Sequence, residues 1–211
     1  MIQNVLPVVL TGVINKFPIE DIKSALESFI PSPSQTPGRL NLFTFKNFRF
    51  LLDYAHNPAG LRALQKLIAN MDSRRKVGII TGIGDRRKED TEEVGRIACE
   101  TFDEIIIRAD RNLRGKTQEE IVEMLTTGIQ QVDKNKKITV IPGEKDAIDH
   151  AIKNAQPDTL IVLFSDAIAQ ALAQVMKYKE DEAHQLYQSS GQEFLSALGL
   201  DQESEVVEGA E

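Results

Sequence analysis

Apolar positions along the chain recur at two different periods, and the switches between them mark its elements. Val5, Val8, Val9, Leu10, Val13 and Ile14 fall at helical spacing within residues 2–15. A second helix is predicted to open at Phe17-Pro18-Ile19-Glu20-Asp21, with proline at its head and acids in its first turn. Ile22, Ala25, Leu26 and Phe29 lie on one face of it. Residues 31–38 then supply three prolines, two serines, a threonine and a glycine, the composition of a linker.

Beyond the linker, short apolar runs alternate with longer amphipathic stretches. The runs at 40–45 and 49–53 read as two strands joined by a tight turn at Lys46-Asn47. Further strands are expected at 76–81, 104–108, 138–141 and 160–164. Helices are expected at 58–71, 91–102, 117–132, 145–155 and 166–179. Strands separated by helices of ten or more residues imply βαβ units. The near-continuous apolar character of the strands implies a sheet covered on both faces. The expected fold class is α/β: a Rossmann-like, mostly parallel sheet with helices on both faces, preceded by a short helical segment. Three regions are expected: residues 1–35 as helices plus linker, 36–180 as the main domain, and 181–211 as an acidic, disordered tail with weak helical signal to Leu186 and again near 194–198.

Composition narrows the function. A chain of 211 residues that is 41% hydrophobic can bury a full core. A net charge of −7 argues against a nucleic-acid partner, which needs a basic stripe. Cys99 is the sole cysteine, so no intrachain disulfide and no cysteine-rich metal site is available. No signal peptide and no membrane-length apolar run is evident, so a cytoplasmic location is expected.

Candidate chemistry gathers at the strand exits. Residues 53–57, Asp-Tyr-Ala-His-Asn, put a carboxylate, an imidazole and an amide at the carboxyl end of a strand, where ligands bind in open α/β sheets. Asn57 and Pro58 equally suit an N-cap and first helical residue. Residues 84–87 offer a glycine, Asp85 and two arginines, Arg86 and Arg87. Forked guanidiniums suit phosphate or carboxylate, though exposed charge on a βα turn is the plainer reading. Asp110, Arg111, Asn112 and Arg114 could clamp an amino acid by its carboxylate, and Ser165-Asp166 closes the set. His150 and His184 read as structural or solvated. Gly115-Lys116-Thr117 ends like a phosphate-binding loop, but Asp110 stands where that motif needs glycine. No third glycine follows Gly82 and Gly84 at 87, and no Gly-x-Ser-x-Gly elbow occurs. No metal-ligand spacing is present, so no metal site is assigned.

These strings together resemble the C-terminal domain of the Mur ligase superfamily. They are Asn4-Val5, Ile19-Glu20-Asp21-Ile22, Thr36-Pro37-Gly38-Arg39-Leu40-Asn41-Leu42-Phe43, residues 53–61, Gly84-Asp85-Arg86-Arg87, and Asp110 to Arg114-Gly115. The stretches at 36–43, 53–61 and 84–87 are most similar to the cyanophycin synthetase branch. The resemblance covers roughly residues 4–179 and implies an ATP-dependent amide ligase. In such a ligase ATP phosphorylates a substrate carboxylate, and an incoming amine displaces phosphate. It implies ATP and magnesium as cofactors of a larger enzyme, held mainly by a central domain whose last helices would be residues 1–35. That domain, an incoming amino acid (arginine in the cyanophycin branch) and an acidic peptide or polymer acceptor are the implied partners. By the same resemblance Arg39 and Asp53 face the nucleotide, His56 and Asn57 line the catalytic edge, and Asp85, Arg86, Asp110, Arg111 and Arg114 face the incoming amino acid. The superfamily's phosphate-binding loop is absent from the sequence, so this chain alone is expected not to turn over ATP. A free-standing, non-catalytic interaction or regulatory module, and an unrelated doubly wound nucleotide-binding protein, are the alternatives.

Overall fold

A computed structural model describes residues 2–29, 32–82, 86–108, 113 and 115–197, with side chains described within 5–190. Two helices come first, α1 (Ile2–Ile14) and α2 (Ile19–Ser28). They meet where the Ile22 side chain takes up the space beside Gly12. Most other apolar residues of this segment stay open to solvent, with Val8 65%, Ile14 68%, Phe17 60% and Ile19 62% exposed.

The strands β1 (Asn41–Thr44), β2 (Phe48–Asp53), β3 (Arg75–Ile80), β4 (Glu104–Ile107), β5 (Lys137–Val140) and β6 (Thr159–Phe164) form one sheet. The spatial order is β1-β2-β6-β3-β4-β5. β1 runs antiparallel to β2 in the expected hairpin, and every other neighbouring pair is parallel. The fold is thus the α/β architecture that the alternation of periods predicts.

Helices α3 (Pro58–Ala69), α4 (Lys88–Thr101) and α5 (Gln118–Val132) cover one face. Leu61, Leu64, Ile97, Leu125 and Ile129 pack there against Leu51, Ile80, Ile105, Ile107 and Val162. Helices α6 (Glu144–Lys153) and α7 (Ile168–Ala197) cover the other. Ala147, Ile148, Leu172 and Val175 pack there against Phe50, Leu52, Ile79, Ile106 and Leu163. Strand side chains therefore alternate between two apolar layers, the period of two expected of a pleated sheet. Helices α4 and α5 approach backbone to backbone, because a Cβ on Gly128 would overlap the Glu92 carbonyl.

This layering positions the site. The chain leaves β2 for α3 on one face and leaves its neighbour β6 for α7 on the other. Adjacent strands whose exits part to opposite faces open a crevice at their carboxyl ends, the usual ligand position in such sheets. Two elements differ in extent from expectation. α4 begins at Lys88, before the expected start at Thr91, and α7 runs on to Ala197, well past residue 180.

Candidate functional site

The turn after the linker and the exit of β2 are built as one unit. Asn41 is 1% exposed. Its side-chain oxygen accepts from the Gly38 amide at 2.6 Å, and its nitrogen donates to the Thr36 carbonyl at 3.0 Å. Gly38 has φ +71, and a Cβ there would come within 2.6 Å of Ile168 Cδ1, so both conformation and packing demand glycine. Leu40 follows with φ 53, a left-handed backbone uncommon outside glycine. Its N–H donates to Asp53 Oδ2 at 3.0 Å. Asp53 Oδ1 accepts from the Ala55 amide at 2.8 Å, and the Tyr54 amide donates to the Gly38 carbonyl at 2.9 Å. The buried Asp53 carboxylate thus clamps two backbone segments together.

A cation and two rings stand on this clamp. The guanidinium carbon of exposed Arg39 lies 5.0 Å from the Tyr54 ring centroid, a cation–π distance. The Tyr54 and His56 rings are tilted by 59° with centroids 5.0 Å apart. His56 Nδ1 lies 3.2 Å from the Tyr54 carbonyl. A carbonyl only accepts, so a hydrogen bond here has Nδ1 as the donor. Asn57 takes the N-cap of α3, its Oδ1 accepting from the Gly60 amide at 2.8 Å.

Arg39, Asp53, His56 and Asn57 are therefore neighbours at one carboxyl edge. Arg86 is exposed in the next loop, where its carbonyl accepts from Lys116 Nζ at 2.7 Å. Asp85, Asp110, Arg111 and Arg114 lie outside the described residues. Asp90 is held by its neighbour Arg87 through two hydrogen bonds, and these keep its carboxyl below the usual carboxylate range.

Sequence reasoning passed over Arg108. It follows three consecutive isoleucines and is 1% exposed. Its Nε lies 3.0 Å from Glu144 Oε2, and its Nη2 donates at 2.9 Å to both the Phe164 carbonyl and Asp166 Oδ1. The available signal was a charge directly after three consecutive buried isoleucines. Tyr54, the ring that joins Arg39 to His56, was likewise noticed only as part of a string.

Among the described residues, no three His, Cys, Asp or Glu side chains gather as a cation site. None of the described helices is long and apolar enough to cross a membrane.

Residues 38–167 match the family described as Mur ligase, glutamate ligase domain. The chain belongs to this family. The cyanophycin synthetase of Nostoc sp. is 37% identical over 172 residues, which is 82% of this Mur ligase chain and 19% of that protein. The chain thus spans about a fifth of the curated relatives it matches first. Among solved structures, the UDP-N-acetylmuramate–alanine ligase of Thermotoga maritima aligns with a TM-score of 0.60 at 15% identity, over 85% of this chain and 38% of that one. The folylpolyglutamate synthase of Mycobacterium tuberculosis, solved with ADP and AMPPCP, aligns at 0.55 and 21% identity over 76% and 35%. At these identities the structural likeness establishes the Mur ligase fold. The clamp at 38–55 falls inside the matched span, whereas α1 and α2 precede it.

Proposed function

We propose that this chain is the amino-acid-positioning domain of an ATP-dependent acid–amino-acid ligase of the cyanophycin synthetase kind, closing over a nucleotide held mainly by a central domain. The observation that carries the reading is the Arg39–Tyr54–His56 stack beside the crevice between β2 and β6. A guanidinium suits a phosphate, and two aromatic rings suit a purine. When bound, ATP supplies the phosphoryl group that makes a carboxylate reactive toward an amine. The described residues offer no carboxylate set for magnesium, so no step here runs through that ion.

In this reading Arg39 faces the phosphates, and Asp53, near the ribose, holds the turn that aims Arg39. His56 and Asn57 line the same edge. Asp85, Arg86, Asp110, Arg111 and Arg114 face the incoming amino acid, arginine in the cyanophycin case, while an acidic peptide or polymer supplies the carboxylate. The protein's contribution is orientation and charge neutralisation without a covalent intermediate on the enzyme. The apolar residues exposed on α1 and α2 support burial against the central domain, since exposed apolar patches mark interaction surfaces.

The test is calorimetric titration of the purified chain with ADP, comparing wild type with Arg39→Ala. Binding that Arg39→Ala removes supports the reading, and an affinity indifferent to Arg39 refutes it. With no phosphate-binding loop in the sequence, the chain alone should not turn over ATP. Hydrolysis coupled to amide formation by the chain alone would refute that part.

A further inference from the structure

We propose that Arg108 is a positioning residue, whose guanidinium locks the exits of β4 and β6 to the first turn of α6 and through them holds the Arg39–Tyr54 clamp in register. This deepens the function inferred above and rests on it only for the choice of ADP as ligand. Its geometric part stands separately.

Arg108 extends the parallel ladder of β4, its amide donating to the Ile80 carbonyl at 2.9 Å. Ile106 packs on the face covered by α6 and α7, and two residues further on Arg108 shares that face. Its side chain therefore passes the end of β3 to reach β6. Among the described residues, Glu144 at the start of α6, the last carbonyl of β6, and Asp166 just beyond it converge on one guanidinium. A fully buried cation is a poor device for stability, because desolvation cancels much of the attraction it gains. What it does supply is direction: a planar fork fixes several acceptors at once, which neither lysine nor an apolar side chain can do.

From this point the contacts run without a gap to the clamp. Arg108 fixes the Phe164 carbonyl, and the next amide, Ser165 N–H, donates to the Asp53 carbonyl at 3.1 Å. The Asp53 side chain then holds the Leu40 and Ala55 amides, and the residues adjoining these are Arg39 and Tyr54. A second route runs through Asp166. Ser165 Oγ accepts from the Ala167 amide at 3.0 Å, and Ile168, the next residue, lies against Gly38. Both routes begin at Arg108 and end on the same turn.

The experiment is residue-resolved amide hydrogen exchange on the purified chain, paired with ADP titration. It compares wild type with Arg108→Met and Arg108→Lys. Exchange at Ser165, Leu40 and Ala55 is expected to rise about tenfold or more in both variants. The Arg74 amide, bonded to the Asp158 carbonyl at the opposite edge of the sheet, should stay within about twofold. A residue that only stabilised the fold would speed all four amides together. That result overturns the proposal, and so does no change at any of them. Should Arg108→Met fail to fold, Asp166→Ala removes the Asp166 contact from a solvent-facing position and is read in the same way. ADP affinity should fall about tenfold in the folded variants, as a displaced binding group requires. Unchanged affinity with accelerated exchange overturns the positioning role. Absence of ADP binding by the wild type refutes a nucleotide site on this chain by itself, while the exchange data still decide the coupling.

Discussion

Replacing Asp53 by alanine should cost this chain about 3 kcal/mol of stability, and the estimate follows from what the carboxylate holds. Asp53 is 7% exposed, and its two oxygens accept from the Leu40 and Ala55 amides at 3.0 and 2.8 Å. A hydrogen bond to a charged group contributes about 1.5–3 kcal/mol, so two bonds set an upper range of about 3–6 kcal/mol. Part of this is recovered. Leu40 is held at φ 53, a conformation costing about 1–3 kcal/mol that can relax once its amide is released. The Ala55 segment is half-buried, so water can reach its freed amide. The balance is about 3 kcal/mol for Asp53→Ala. For Asp53→Asn, which keeps one acceptor but turns an NH2 toward the other amide, it is about 2 kcal/mol. At this chain length a loss of 3 kcal/mol lowers Tm by about 6–12 °C. Urea unfolding gives the number directly, provided the slope against denaturant is unchanged between variants. A loss below about 1 kcal/mol for Asp53→Ala would refute the assignment of Asp53 as the clamp.

Four further outcomes are expected. Gly128→Ala should destabilise by about 2 kcal/mol or more, since its Cβ would meet the Glu92 carbonyl and force α4 and α5 apart; a Tm within 1 °C of wild type, on a scale of about 2–4 °C per kcal/mol, would contradict the packing. Burial and the adjacent Asp149 carboxylate push the Tyr178 hydroxyl up from 10.0 to about 12. The folded state thus favours the protonated phenol, and that stabilisation is complete below pH 10 and lost as pH rises toward 12; ultraviolet titration should show one late tyrosine step that Tyr178→Phe removes. Burial alone would raise the Glu104 carboxyl, but hydrogen bonds from Lys137 and Arg75 outweigh it and hold it below the ordinary 4.5. Its contribution is full above pH 4.5 and fades as pH falls through the lowered value, so Glu104→Gln should flatten the acid limb of a stability profile. Asn57→Ala should cost about 1 kcal/mol through loss of the α3 N-cap, read by thermal unfolding, and Asn57→Asp should restore it.

The alternation of strand and helix was legible because most strands carry a short run of apolar residues and each covering helix keeps an apolar face. The order of the strands was not. Nothing in the period of residues 159–164 says that this last strand inserts between β2 and β3, because periodicity encodes burial and carries no neighbour list. The sequence expectation starts α4 at Thr91, whereas the helix begins at Lys88, where Glu89 and Asp90 in its first turn are favoured by the helix dipole. The continuation of α7 past residue 180 is held early on by Glu182, which accepts from the Lys46 amide and pairs with Lys179. Such a tertiary contact between residues 136 positions apart leaves no local trace.

The candidate site divides along a different line. Asp53 is expected from the sequence to face the ligand and Asn57 either to line the site or to cap α3, and both spend side-chain oxygens on backbone amides. Arg39 makes no comparable investment: it packs on Tyr54 and its guanidinium stays exposed, whereas His56 packs on Tyr54 and also commits Nδ1 to the Tyr54 carbonyl. A string such as Asp-Tyr-Ala-His-Asn-Pro therefore mixes frame with function, and spacing alone cannot separate them. Stability and binding can. Substitutions at Asp53 and Asn57 should lower Tm first and binding as a consequence. Arg39→Ala should leave Tm within about 2 °C, the scale of an exposed residue, and act on ADP affinity alone. If Arg39→Ala instead unfolds the chain as readily as Asp53→Ala, the cation belongs to the frame, and the stack on Tyr54 has no nucleotide to meet.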